Sequence, residues 1–323
     1  MTDYYISITN KCNLNCSYCY ERKLNTQYGM IDDSTADRII GFINDCGTAG
    51  MIHFFGGEPL LGKNIIKKLR SEIKACSYFI TTNGTLLDEE FIKWCAQNSV
   101  KINISHDGRD CSSRGVTAEK ISEKIKLLQK YQRDTLVQLV YTEDNLLSLP
   151  ENIKYFRDMG IRNVSATLEE STAPSDTDKF GDLLHDAWQK AAEISGIDIL
   201  ELSDKIRRIC DGSQKKCEIC QKKMYINWDG KIYPCLQFQN RVDFCCGNVY
   251  DGLDSSAVEK KYPEYSEYPK DCSDCEIMMY CDNLCACRKM ASSGTLHSVS
   301  EAFCLEQQIL TLTALERIKK RIQ

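Results

Sequence analysis

Alternation is what most limits how this chain can fold. Across residues 1–190, apolar stretches of strand length are followed repeatedly by stretches of helical spacing. Tyr4 to Thr9 predicts a strand, ended by a loop at Cys12. Asp32 to Cys46 predicts a helix, and Met51 to Phe55 an apolar strand that stops at Gly56 and Gly57. A helix over Lys63 to Cys76 follows, then strand Tyr78 to Thr82, helix Asp88 to Gln97 and strand Val100 to Ser105. Helix Thr117 to Tyr131 and strand Leu136 to Tyr141 continue the pattern. Pro150 suits the first turn of a helix running to Met159. Val164 to Leu168 predicts a sixth strand, and Asp176 to Ser195 a sixth helix.

Six such units imply a parallel sheet with helices on its outer face. Six is too few to close an eight-unit barrel, so the fold class expected is α/β, a partial (β/α)6 barrel. In such folds chemistry collects where strands end. Cys12, Gly56-Gly57-Glu58, Asn83-Gly84 and Asp107-Gly108 each follow an expected strand, so one rim should gather them. From Cys210 the periodicity weakens and cysteines become frequent, with a loop expected over Tyr262 to Lys270. A cysteine-rich segment with little regular structure needs metals to be stable. Ser300 to Gln323 reads as a closing amphipathic helix that begins around Cys304. The division expected is 1–195 for the barrel and 196–323 for the cysteine-rich domain.

A net charge of −5 and a pI near 5.6 argue against a basic surface tracking phosphates, hence against nucleic acid as partner. No run approaches the roughly 18–20 apolar residues that span a bilayer, so no membrane is expected either. Met1 to Tyr20 has no basic start, apolar core or cleavage site, which excludes a secretory signal and points to the cytoplasm. In a reducing compartment, nineteen cysteines, an odd number, indicate metal binding rather than disulfides.

Three of them, Cys12, Cys16 and Cys19, lie within eight residues, after the first strand. Structural zinc wants four ligands, and no histidine is near. A four-iron cluster held by three thiolates keeps one iron open for a substrate. The run Cys12-Asn-Leu-Asn-Cys16-Ser-Tyr-Cys19, followed by Tyr20, resembles the C-x3-C-x2-C loop of the radical S-adenosylmethionine superfamily. The resemblance implies a [4Fe-4S] cluster on these three catalytic cysteines. Its open iron chelates S-adenosylmethionine, and one electron breaks a carbon–sulfur bond to give a 5′-deoxyadenosyl radical that takes hydrogen from a substrate. Further motifs fall in the family's order. Gly56-Gly57-Glu58-Pro59 resembles the element that holds the cofactor's amino group. Asn83 and the Ser105-His106-Asp107-Gly108 run resemble loops bordering the nucleoside, with Ser105 a ribose contact. Arg114 could pair with the cofactor's carboxylate, and could equally be a solvated surface residue. Tyr18 is counted with these cofactor-binding residues.

A second constellation reads Cys220-x9-Gly230-x4-Cys235, then Cys272-x2-Cys275-x5-Cys281-x3-Cys285, then Cys304. This resembles the seven-cysteine SPASM extension of radical enzymes that modify peptides and proteins. The family's pattern implies two auxiliary [4Fe-4S] clusters. One would use Cys220, Cys235, Cys285 and an upstream cysteine, Cys217 or else Cys210, unless an iron stays open. The other would use Cys272, Cys275, Cys281 and Cys304. Two structural zinc sites are the bland alternative. Cys46, Cys76, Cys95 and Cys111 read as packing residues, while the roles of Cys245, Cys246 and Cys287 stay open.

The resemblance implies a peptide maturase that crosslinks (thioether or carbon–carbon) or oxidises a ribosomally made precursor peptide. Alternatives are a small-molecule dehydrogenase, a sulfatase maturase, or a non-enzymatic electron carrier, the last leaving the Cys12 loop unexplained. Sulfatase-maturing relatives carry an aspartate after the cysteine of the Gly-x4-Cys element. Leu236 stands there, which disfavours that reaction. The first strand begins near Tyr4, so no leader-binding domain is expected ahead of it; a leader would need a separate leader-binding protein, a direct groove or no recognition module at all. A flavodoxin- or ferredoxin-type donor would supply electrons. His53 reads as a packed strand residue, and His106 as a slightly better acid–base candidate.

Overall fold

The computed structural model describes residues 1–25, 27–214, 219, 222–254, 256, 269–282 and 285–322. Cys217, Cys220 and residues 262–268 of the expected loop lie outside them. The first half runs β1 (Asp3–Thr9), α1 (Tyr20–Leu24), α2 (Asp33–Asp45), β2 (Ala49–Gly56), α3 (Lys63–Glu72), β3 (Ala75–Thr82), α4 (Glu89–Gln97) and β4 (Val100–Ser105). Next come α5 (Ala118–Gln129), β5 (Leu136–Tyr141), α6 (Leu149–Asp158), β6 (Asn163–Leu168), α7 (Thr177–Ala192), β7 (Asp198–Ile199) and α8 (Leu200–Asp211). The remainder holds β8 (Lys223–Ile226), β9 (Lys231–Tyr233), β10 (Gly247–Asn248), β11 (Gly252–Leu253), α9 (Ala286–Ser293) and α10 (Glu301–Ile322). All six expected strand–helix units are present. Among the described residues no helix is long and apolar enough to cross a membrane.

Two compact units emerge. The first comprises Met1–Ser105, Ser112–Thr135 and Glu218–Pro263. Its strands lie in the order β11-β10-β9-β8-β1-β2-β3-β4, parallel from β8 to β4 and antiparallel beyond β8. Period-2 alternation sorts the side chains by face. Ile6 and Ile8 of β1, Ile52 and Phe54 of β2, Ile80 of β3, and Ile102 and Ile104 of β4 are wholly buried, as are Ile39 and Ile43 of α2, Ile66 and Leu69 of α3, and Ile121 and Ile125 of α5. Asp32 and Asp88 start α2 and α4 by accepting the backbone N–H of Thr35 and Phe91, each three residues further on.

The opposite face of those strands carries a different set. Register aligns Tyr225 of β8, Tyr5 of β1, His53 of β2, Phe79 of β3 and Lys101 of β4 in one row. The His53 ring lies 5.5 Å from Tyr5 and 6.0 Å from Phe79 between centroids.

The second unit comprises His106–Cys111, Leu136–Cys217 and Glu264–Gln323. Its strands β5, β6 and β7 are parallel. Val137, Val164, Ala166 and Leu168 bury with Phe156 of α6 and with Phe180, Leu184 and Trp188 of α7. Among the described residues the strands of neither unit close on themselves.

Boundaries differ from expectation where pairing overrides periodicity. The helix expected to Cys76 stops at Glu72, because Ala75 is already in register with Ala49 of β2. The closing helix starts at Glu301, one turn before Cys304.

Candidate active site

In the first unit β1 delivers the chain to the cysteine loop through Thr9, Asn10 and Lys11. The loop after β2 grips this stretch by backbone: Gly57 N–H donates to Thr9 O at 2.7 Å, and Glu58 N–H to Lys11 O at 2.8 Å. A Cβ on Gly57 would sit 2.3 Å from Lys11 O, and one on Gly56 would sit 2.1 Å from Thr9 O. Gly56 also adopts a φ of +135°, which side chains disfavour. The two glycines therefore admit the cysteine loop itself.

Glu58 is wholly buried. Its Oε1 accepts from Leu60 N–H at 3.0 Å and from Thr82 Oγ1 at 2.6 Å, and its Oε2 from Asn83 N–H at 2.9 Å. Burial pushes its carboxyl above the usual range against those donors. Glu58 thus joins the ends of β2 and β3, and the buried Pro59 continues from it into a single 3-10 turn. Asn83 faces the cysteine loop, its Nδ2 donating to Asn13 Oδ1 at 2.9 Å and to Cys12 Sγ at 3.8 Å. Gly84 beside it has a φ of +78°, so the Asn-Gly pair is also a turn. On the other flank Ser17 N–H donates to Ser113 O at 2.8 Å. Arg114 follows, 6% exposed, with its guanidinium carbon 5.6 Å from the centre of the half-buried Tyr18 ring. That burial rules out the solvated-surface alternative for Arg114. Ser105 ends β4, half-buried.

Thus the first unit brings the Cys12 loop, Gly56-Gly57-Glu58, Asn83 and Arg114 to the C-terminal ends of β1 to β3. Asp107 belongs to the second unit, where it is 2% exposed and accepts Val140 N–H at 3.1 Å. His106 is fully buried there, its Nδ1 accepting Gly108 N–H at 3.0 Å between the rings of Tyr155 and Phe156. Packing, rather than the expected acid–base interest, accounts for His106.

One buried carboxylate beside the cysteine loop carries no sequence signal. Glu21, in the first turn after Cys19, is 4% exposed; Asn25 Nδ2 donates to its Oε2 at 2.8 Å and Gln239 Nε2 to its Oε1 at 3.1 Å. Gln239 in turn accepts Tyr225 Oη at 2.7 Å. The cysteine loop's exit helix is thereby tied to the turn that follows Cys235. Burial raises the Glu21 carboxyl to about 7. His53, whose Nε2 lies 2.8 Å from Thr81 Oγ1, is a packed strand residue as expected, and burial lowers it to about 4.

The cysteines divide between the units. In the first, Cys12 is exposed and Cys16, Cys19 and Cys235 are half-buried; in the second, Cys272, Cys275, Cys285 and Cys304 are half-buried and Cys281 is buried. Cys210 is exposed at the end of α8. Among the described residues no three Cys, His, Asp or Glu side chains form a closed metal site. The donor set nonetheless fits an iron–sulfur cluster: Cys12 Sγ accepts Leu14 N–H at 3.4 Å besides Asn83, the kind of hydrogen bond that tunes a cluster. Of the cysteines expected to pack, Cys95 and Cys111 are buried but Cys46 and Cys76 are exposed. Cys46 lies past the buried face of α2, and Cys76 alternates out of β3. Cys245 donates to Gly247 O at 3.3 Å, and Cys246 and Cys287 are buried.

Comparison with known proteins agrees with this geometry. The model of the Radical SAM superfamily matches residues 6–159, and that of SPASM, an iron–sulfur cluster-binding domain, matches residues 217–276. A tungsten-containing aldehyde ferredoxin oxidoreductase cofactor-modifying protein of Pyrococcus furiosus is 26% identical, covering 86% of this chain and 88% of its own. A cysteine-type anaerobic sulfatase-maturating enzyme of Clostridium perfringens is 24% identical, covering 88% of this chain and 89% of its own. The solved structure of native anSMEcpe with bound AdoMet superposes with a TM-score of 0.80 at 20% identity, covering 99% of this chain and 100% of that one. Streptococcus suis SuiB bound to its precursor peptide SuiA gives 0.63 at 16% identity, covering 94% of this chain and 75% of that one. The fold is that of these enzymes.

Proposed function

The chain belongs to the radical SAM superfamily and carries a SPASM domain, and from that premise we propose that it modifies a peptide. The row Tyr225, Tyr5, His53, Phe79 and Lys101 carries this reading. Tyr225 is buried at its end, and the partly open Tyr5, His53 and Phe79 with the exposed Lys101 make a largely aromatic face with a single cation, suited to an uncharged side chain rather than to a polyphosphate. The fold it shares with enzymes solved with bound peptide, anSMEcpe with Cp18Cys and SuiB with SuiA, supports the same substrate class.

S-adenosylmethionine and a [4Fe-4S] cluster are its cofactors, with auxiliary clusters in the SPASM domain. When bound, they supply one-electron cleavage of S-adenosylmethionine to a hydrogen-abstracting radical. Cys12, Cys16 and Cys19 would hold the radical cluster, and the glycine backbone of residues 56 and 57 fixes the loop that carries them. Tyr18, Pro59, Asn83, Ser105 and Arg114 would border the cofactor, Arg114 receiving a carboxylate. Asp107 would act only from its anchor on Val140. Cys272, Cys275, Cys281 and Cys304 would hold one auxiliary cluster; Cys217 or Cys210, with Cys220, Cys235 and Cys285, the other. Residues 1–195 would form the radical domain and 196–323 the SPASM domain, in a cytoplasmic protein served by a flavodoxin- or ferredoxin-type donor, with any leader met by a separate leader-binding protein or by a direct groove.

Anaerobically reconstituted, reduced protein should release 5′-deoxyadenosine, and Cys16→Ala should not. Small peptides encoded beside the gene should raise that release and lose two hydrogens by mass. Release that no peptide stimulates, but a small alcohol does, would replace the peptide reading. Sulfatase maturation is the second reading, favoured by the 0.80 superposition on anSMEcpe. Leu236 offers no carboxylate to take the substrate's proton. A cysteine-bearing sulfatase peptide should therefore stay unconverted, and formylglycine formation would reverse the order of the two.

A further inference from the structure

The second unit buries a group of cations that the radical chemistry does not use. Lys205 is 0% exposed and Arg208 is 2% exposed, on one stripe of α8 with Leu202. Both donate to one acceptor, the carbonyl of Tyr280: Lys205 through Nζ, and Arg208 through Nη1 at 3.1 Å. Tyr280 immediately precedes Cys281. On the far side of that cysteine, Arg208 Nη2 donates to Asp282 Oδ1 at 2.8 Å. Lys205 Nζ also reaches Gln307 Oε1 at 2.7 Å, and the same oxygen accepts Asp282 N–H at 2.9 Å. Gln307 lies three residues after Cys304, on the same face of α10.

Burying two ammonium-type charges is costly unless each is paired and fully hydrogen-bonded. Here the pairing is built around the peptides that flank Cys281 and the helix turn that carries Cys304. A hydrophobic stripe would have packed α8 without that cost. We infer that Lys205 and Arg208 are positioning residues for the auxiliary cluster of Cys272, Cys275, Cys281 and Cys304, fixing two of its ligands and raising its reduction potential. This inference rests on the ligand set proposed above. Reduction adds a negative charge to a cluster, so a buried cation beside one ligand's peptide favours the reduced form. The cluster would then be disposed to accept the electron released when a substrate radical is oxidised.

Redox titration of the reconstituted chain, followed by electron paramagnetic resonance, tests this. A Cys12, Cys16 and Cys19→Ala variant identifies the radical cluster's signal by its loss. Lys205→Met should lower the midpoint of one auxiliary cluster and leave the others, with iron per chain retained. Lys205→Arg should restore it. Arg208→Lys, which keeps the charge and loses the fork to Asp282, should alter that cluster's line shape with a smaller shift, and serves where the methionine variant does not fold. Unchanged potentials and spectra in these variants, beside a parent that holds auxiliary clusters, would overturn the inference alone. A parent holding only the radical cluster would overturn the ligand assignment and the inference together.

Discussion

Glu58 Oε2 accepts the backbone N–H of Asn83 at 2.9 Å, so the loop after β2 and the loop after β3 share one buried carboxylate. Asn83 then reaches Cys12 Sγ, and Glu58 N–H reaches Lys11 O. The cysteine loop is therefore positioned from two strands at once, and Glu58 is the residue common to both. Its acidity matters less than its oxygens.

Glu58→Ala would strip three buried donors, Leu60 N–H, Thr82 Oγ1 and Asn83 N–H, of their acceptor. Each unsatisfied group costs about 1–3 kcal/mol, so a loss of roughly 3 kcal/mol or more is expected. Urea unfolding of the chain prepared without iron measures it. Iron retention at the Cys12 loop should fall as well, because Asn83 loses its anchor. A variant as stable as the parent would show that water replaces the carboxylate.

Gly57→Ala should be severe for a different reason. The added methyl meets Lys11 O and the Lys11 carbonyl carbon, which are backbone and cannot rotate away. The cysteine loop must shift, so cluster loading and 5′-deoxyadenosine release should both collapse. Gly41 is the control: it lies on the exposed side of α2 with nothing within 4 Å of an added Cβ. Gly41→Ala should stabilise by about 0.5–1 kcal/mol and leave activity alone. Equal effects at the two positions would contradict the steric account.

Much of this site was legible in the sequence because its parts are local. The C-x3-C-x2-C loop, the Gly-Gly-Glu-Pro turn and the strands that carry them each declare themselves within ten residues. The period-2 and helical patterns sufficed for six strand–helix units, missing only ends such as Glu72, where pairing of Ala75 with Ala49 cut the helix short. What stayed hidden depends on distant partners. Glu21 looks like a helix-start carboxylate until Gln239 closes over it, and Lys205 and Arg208 look like the solvent face of a charged helix until Tyr280 and Gln307 bury them. Arg114 and Cys76 show the same limit in opposite directions: Arg114, left open by the sequence, is buried, and Cys76, read as a packing residue, is exposed.

Tyr225→Phe should be costly despite conserving shape. Tyr225 is fully buried, and its Oη donates to Gln239 Oε1 at 2.7 Å. Its loss leaves that amide oxygen without this donor, at about 1–3 kcal/mol. A double cycle with Glu21→Gln should show coupling, since Gln239 bridges the two. Strictly additive losses would place them in separate networks.

The last prediction concerns pH, where two buried groups of the first unit oppose each other. Burial raises the Glu21 carboxyl from 4.5 to about 7. Between those values the folded chain keeps a proton that the unfolded chain has released, so stability falls as pH rises, by about 3 kcal/mol across the window. Burial lowers His53 from 6.5 to about 4. There the unfolded chain takes up a proton that the folded chain refuses, so stability falls as pH drops, again by about 3 kcal/mol. From about pH 4.5 to 6.5 the two slopes cancel in the parent. Glu21→Gln should expose the histidine slope, with urea midpoints dropping on acidification relative to the parent. His53→Phe should expose the carboxyl slope, with midpoints dropping as pH rises from about 4.5 to 7. The difference from the parent at each pH isolates one group, whatever the remaining carboxyls do. If both variants ran parallel to the parent, neither group would be held in its uncharged form, and Glu21 would be an ionised acceptor for Gln239 and Asn25 instead.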